Sequence, residues 1–253
     1  MNNSISKPFA DWPTPWPNGS FRTGPTLLLI LLVVVPMLGF GVWQASASAS
    51  MHINPKAFGD PLVVIASLVV TLVVEGTLVI VLISLLPWAA RLPLSRLGYR
   101  PPHGRDLAIA FIGSLVMAVV ANGGAALIEA LLHSTHDQQA VVMLMQLHDP
   151  RLLAAFALFA IAVAPIMEET IFRVFLFNAT RRYFGFWVGA IVSGLCFGIA
   201  HGDPIAALPL ALGGVILAFV YYRTGNAFAS MITHGLFNSY TILALVFAPQ
   251  LAK

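Results

Sequence analysis

The chain has 253 residues, of which 58% are hydrophobic and only 9% charged, with a formal net charge of +3. Soluble domains carry about 25% charged residues, so this composition excludes a water-soluble globular fold and predicts an all-α, polytopic transmembrane helix bundle. Basic residues are not interleaved with aromatics, which argues against nucleic acid as a partner. The single Cys196 excludes an intrachain disulfide and any multi-cysteine metal site.

Residues 1–24, with Trp12 and Trp16 among prolines, read as a cytoplasmic or interfacial arm. A spanning helix needs about 20 mostly apolar residues. The stretches 25–45, 61–87, 107–132, 152–178, 186–201, 205–222 and 227–247 meet or approach that length, which predicts about seven membrane helices. The first three fall within 25–132. Ala45, Ala47 and Ala49 after the first stretch have the small-residue flavour of a signal-peptidase site, but the long arm before it favours a retained anchor. Around 138–148 a polar segment carries an apolar patch, Val141, Val142, Met143, Leu144, Met145 and Leu147, which predicts a short interfacial amphipathic helix. The fifth and sixth stretches are short, and His201, Gly202, Asp203 and Pro204 separate them, so they form either two short spans or a re-entrant pair. Residues 248–253 are a tail. No internal repeat is visible, which removes support for a transporter built of two similar halves.

Lys and Arg concentrate in cytoplasmic loops. Lys7 and Arg22 precede the first span, and Arg91, Arg96, Arg100 and Arg105 lie between the second and third. Arg181 and Arg182 lie between the fourth and fifth, and Arg223 between the sixth and seventh. The other side holds Lys56, Arg151 and Lys253. The N-terminus is therefore expected in the cytoplasm, and the active-site cavity is expected to open toward the same side.

Glu168, Glu169 and Arg173 interrupt the fourth apolar stretch. A charged side chain at the centre of a membrane helix costs about 2.5–3.5 kcal/mol on insertion scales, so such residues mark a functional site or a tightly paired one. Glu169 and Arg173 are four apart and share a helix face, which suits an ion pair. Glu168 is rotated by about 100° from Glu169 and has no obvious intrahelical cation. An unpaired carboxylate in such a setting suits a general base. Glu168 lies about 20 Å along the helix from Arg181 and Arg182, and His201, His234 and Asn238 reach comparable depth. His234 and Asn238 share a face, where each offers a hydrogen bond to a developing oxyanion. His201, at a helix end, is placed to share a water with Glu168. Asp203 reads as a helix-end residue, and Glu75 and Asn122 as packing or cavity residues outside the site. His52, His103, His133, His136 and His148 fall in loops or interfaces without usable ligand spacing.

Glu-Glu-x-x-x-Arg at 168–173, Phe-x-x-x-His at 197–201 and His-x-x-x-Asn at 234–238, in this order within membrane helices, resemble the CPBP family of intramembrane proteases. That family includes CAAX prenyl endopeptidases and relatives linked to bacteriocin processing or immunity. The resemblance covers roughly residues 135–245 and implies a catalytic core over 133–247. It implies Glu168 as the catalytic carboxylate, His201 as its partner on the water, His234 and Asn238 as oxyanion donors, and Glu169 with Arg173 as a supporting ion pair. Val174 stands where many members have Gly.

Glu168, His201 and His234 also form a two-His, one-carboxylate set that suits catalytic zinc. A metal-free mechanism is favoured over Zn2+, because no second carboxylate remains as base once Glu168 binds metal. The expected function is hydrolysis of a peptide bond in a membrane-associated, lipidated or CAAX-like peptide, with membrane lipids as surroundings. The alternatives are a non-proteolytic immunity or scaffold protein that reuses the fold, and an ion-coupled carrier. The oligomeric state is not legible.

Overall fold

Prolines and aspartates set where several helices begin. In the computed structural model, which describes residues 21–50, 59–133 and 138–247, the chain is all-α, with no strand among the described residues. Lys7, Trp12, Trp16, His52, Lys56, His136 and the tail, for which the sequence sets expectations, lie outside the described residues. The first rod runs from α1 (Thr23–Leu29) through a π turn (Ile30–Val34) into α2 (Val35–Ser50). At the start of α3 (Pro61–Ala90), Asp60 Oδ1 accepts the Leu62 N–H at 2.8 Å, and Pro61 occupies a position whose N–H has no helical partner to lose. After α4 (Gly104–Leu132) comes the short α5 (Gln139–Gln146), as expected from the 138–148 patch. Asp149 and Pro150 repeat the cap at the start of α6 (Pro150–Leu158), where Arg151 donates to Asp149 at 2.7 Å.

The fourth apolar stretch is not a uniform α-helix. A π turn (Phe159–Val163) leads into α7 (Ala164–Glu169), and a second π segment (Thr170–Phe177) leads into α8 (Asn178–Ala200). Gly185, at φ 81°, breaks α8 into an elbow and a membrane helix. A side chain with a Cβ resists that left-handed backbone. Then follow α9 (Ala207–Thr224) and α10 (Ala227–Phe247). Among the described residues six helical runs are long and apolar enough to cross a membrane, and one of them, Pro150–Ala200, is 51 residues long and contains both the fourth and the fifth expected spans, divided at Gly185. The chain is a multi-pass integral membrane protein.

The expected fifth and sixth spans form a tight hairpin. Gly202, at φ 66°, makes the turn, and Asp203 Oδ1 accepts the N–H groups of Ile205 and Ala206 at 3.1 and 3.0 Å. A Cβ on Gly194 would meet the Ala211 carbonyl, and one on Gly198 the Ala207 carbonyl. Close backbone approach through small residues is how membrane helices gain van der Waals contact. Gly214 uses the same device against Gly194, so it serves a neighbour within the chain.

Two ends of the bundle are well defined. At one, the Arg22 N–H donates to the Ala89 carbonyl at 2.9 Å, Arg100 donates to the Thr224 carbonyl at 2.8 Å, and Ala227 donates to the Gly98 carbonyl at 2.9 Å. Tyr99 adds a bond to Thr170 Oγ1 at 2.6 Å, and burial pushes its phenol up to about 12, so it stays protonated at neutral pH. At the other end, Gly202 packs against Gly41 and Gln44, and Gly59 packs against Gln146. The outer faces carry Leu62, Val119 and Leu131, all more than 70% exposed, while Arg173 and Glu169 are at 0%. This inverted distribution suits lipid outside and a polar centre within.

Candidate active site

The polar centre is built around Arg173. Its guanidinium donates to Glu169 Oε1 at 2.9 Å and to the Gly214 carbonyl at 3.1 Å, and stacks over the Phe197 ring at 4.4 Å. Gly214 lacks the Cβ that would crowd this approach. Glu169 also accepts from Ser230 Oγ and pairs with His234 Nδ1 at 3.2 Å. A carboxylate beside Arg173 only accepts, so Nδ1 of His234 carries a proton, and Nε2 is the ring atom turned to the rest of the site. That Nε2 lies 3.8 Å from Glu168 Oε2. The expected Glu169–Arg173 pair is present, and it extends across helices to α10.

Glu168 differs from its neighbour. Among the described residues its Oε2 has no hydrogen-bond partner, and the side chain forms part of the wall of a cavity of about 640 Å³. His201 and Asn238 line the same cavity, and His234 is in reach of Glu168 without being one of the lining residues. His201 is exposed, and its Nδ1 lies 2.7 Å from the Phe197 carbonyl. A carbonyl cannot donate, so this bond protonates Nδ1 and leaves Nε2 of the neutral ring as an acceptor. Asn238 donates through Nδ2 to the Ala160 carbonyl at 2.7 Å. That bond occupies one of its two N–H groups and ties α10 to the π turn, whose Ile161 carbonyl also packs against Gly235. Extra residues in a helix displace carbonyls from their usual partners, and such turns recur at functional sites.

Three participants had been given no role in the site from the sequence. Phe197 is 1% exposed and contacts Arg173, His201 and His234 with its ring, at 4.4, 4.6 and 5.6 Å. Ser230, one turn before His234, was signalled only by its i, i+4 spacing. Glu75 on α3 had been set outside the site. It lines the cavity with Glu168, is near enough to interact with it electrostatically, and has an Oε2 without a partner among the described residues. A second carboxylate is therefore present, which removes the argument used to disfavour zinc. The zinc set itself does not converge: among the described residues no three His, Cys, Asp or Glu side chains are grouped to hold a metal ion.

A second expectation also needs correction. The cavity and the arginine clusters were expected to face the same side. Its wall residues Gln44, Val64, Gln138, Met143, Gly202 and Pro204 all belong to the end remote from Arg22, Arg100 and Arg223. Helix depth measured from an arginine marker gives the distance to Glu168 but not the direction in which the cavity opens.

The model of type II CAAX prenyl endopeptidase Rce1-like proteins matches residues 150–240. That segment is similar to the Rce1-like family. It contains Glu168, Glu169, Arg173, His201, His234 and Asn238, and leaves Glu75 outside. The membrane-embedded CAAX protease MroQ of Staphylococcus aureus (strain USA300) is 32% identical over 110 residues, 41% of this chain and 44% of that protein. A Bacillus subtilis (strain 168) protein provisionally named as the membrane peptidase YdiL is 32% identical over 81 residues, 32% of this chain and 33% of that protein. The chain thus matches less than half the length of either relative. No solved structure matches the chain significantly.

Proposed function

We propose that the protein is an intramembrane endopeptidase that cleaves a membrane-associated peptide, lipidated or CAAX-like, with water activated by Glu168 and His201. The observation that carries this reading is the contrast between two adjacent carboxylates. Glu169 has its oxygens engaged by Arg173, His234 and Ser230, whereas Glu168 lines the cavity and its buried Oε2 has no hydrogen-bond partner among the described residues. A fold needing only a structural charge network has no use for the second arrangement.

In the proposed reaction, a water held between Glu168 and His201 Nε2 gives up a proton to them as its oxygen bonds to the scissile carbonyl carbon. The carbonyl oxygen becomes an oxyanion. His234 stabilises it by donating from Nε2, which requires the doubly protonated ring that Glu169 supports, and Asn238 offers its second N–H. Collapse of the tetrahedral intermediate breaks the C–N bond, and the proton taken from water passes to the leaving amine. No step is routed through a metal. The N-terminus is assigned to the cytoplasm from the arginine distribution.

Purified protein in detergent, offered quenched membrane peptides with and without a farnesyl group, tests the reading. Wild type is expected to cleave and Glu168→Ala to lose cleavage while it remains folded. Cleavage at the wild-type rate by Glu168→Ala ends it.

A further inference from the structure

The cavity is lined from mid-bundle, at Glu75 and Glu168, to one end only, at Gln44, Gln139 and Pro204. Helix α5 sits beside that end, with Met143 and Leu144 packed onto Val64 and Phe156. The opposite end holds Arg22, Arg96, Arg105, Arg181, Arg182 and Arg223, in the helix ends and short connections of α1, α3, α4, α8 and α9 there. Hydrogen bonds close that end: Arg22 to Ala89, Arg100 to Thr224, and Thr23 to Tyr183 at 3.0 Å. Among the described residues, Arg151 is the basic side chain at the cavity end. Arg and Lys in short loops near helix ends fix orientation by staying in the cytoplasm. The loops here are short, and the asymmetry runs the same way in each of them.

From these two facts together we infer that the cavity opens on the extracytoplasmic face, and that the peptide it accepts reaches it from that side. Its mouth is flanked by glutamines, by small or apolar residues and by Asp203, whose Oδ1 is engaged by the Ile205 and Ala206 N–H groups, so it suits a largely apolar segment without a run of acidic residues, lying at the outer interface. The substrate class follows, on the reading that the site is proteolytic. It is a peptide already carried across or inserted into the membrane, an exported or membrane-anchored precursor, and not a prenylated C-terminus made and kept in the cytoplasm. The preceding step must then be a translocation or insertion event.

Cysteine labelling tests the orientation without using activity. In a Cys196→Ala background, Gln139→Cys and Arg96→Cys, both at exposed positions, are treated with a membrane-impermeant maleimide on right-side-out vesicles, before and after detergent permeabilisation. The expected result is labelling of Gln139→Cys before permeabilisation and of Arg96→Cys only after it. The reverse pattern, or equal labelling of both from outside, overturns the inference. A quenched membrane peptide added outside the same vesicles, with wild type and Glu168→Ala compared, tests the substrate side. Cleavage there without permeabilisation is expected, and cleavage only after permeabilisation overturns the inference. Outward labelling with no cleavage under either condition leaves the orientation standing and removes the proteolytic reading on which the substrate class rests.

Discussion

Substituting alanine at Glu168 and at Glu169 separates two roles that a sequence motif lumps together. Glu169 is at 0% exposure and holds three partners at once: Arg173 at 2.9 Å, His234 at 3.2 Å and Ser230. Removing it leaves the Arg173 charge buried with the Gly214 carbonyl and the Phe197 ring, and strips the acceptor from His234 Nδ1. Breaking one side of a buried ion pair costs about 3–5 kcal/mol. The unfolding constant then rises about 10²- to 10⁴-fold. Glu168 loses no hydrogen bond at Oε2, so relief of its desolvation offsets the lost packing, and stability stays within about 1 kcal/mol of wild type. Reversible unfolding in mixed SDS–detergent micelles, followed by tryptophan fluorescence, measures both. Cleavage is lost in both variants, for different reasons. A Glu169→Ala protein as stable as wild type, or a Glu168→Ala protein equally destabilised, refutes the division of labour.

Three further substitutions follow from the same geometry. Glu75→Leu replaces a buried carboxyl whose Oε2 has no partner among the described residues, so stability is expected to rise by about 1–3 kcal/mol while cleavage falls; a drop in stability in the same unfolding assay contradicts Glu75 as a cavity group. Asn238→Ala removes the bond to the Ala160 carbonyl and one oxyanion donor. It is expected to cost about 1 kcal/mol of stability and about 10²-fold or more in kcat, and unchanged kcat removes Asn238 from the mechanism. Gly198→Ala puts a Cβ against the Ala207 backbone carbonyl, which cannot swing aside, whereas Gly124→Ala makes ordinary contact with Leu212 at 3.4 Å. The first is expected to destabilise by about 1–3 kcal/mol and the second to be near neutral, and equal melting temperatures contradict the packed hairpin.

What could be read from the sequence followed from local periodicity. Four-residue spacing put Glu169 beside Arg173, and the 100° step put Glu168 elsewhere, because helix geometry fixes both whatever surrounds them. What was missed depends on how helices rotate and slide against one another. Glu75 is a lone carboxylate in an apolar run, and nothing in that run says that it turns toward Glu168. The π segments on either side of Glu168 have no composition of their own. One is held by Asn238 and Gly235 from a helix more than 70 residues away, and is invisible until α10 is docked. Gly185 falls inside the break expected between the fourth and fifth stretches, where Arg181 and Arg182 interrupt the apolar run. The cavity's direction was misjudged because axial depth is a distance without a sign. Glu168 is equally deep whether its water arrives past the arginine loops or past α5, and the position of α5 beside the turn at Gly202 breaks that symmetry. The Glu169–Arg173 pair was therefore legible from residues four positions apart, whereas the end of the bundle at which the cavity lies required the packed helices.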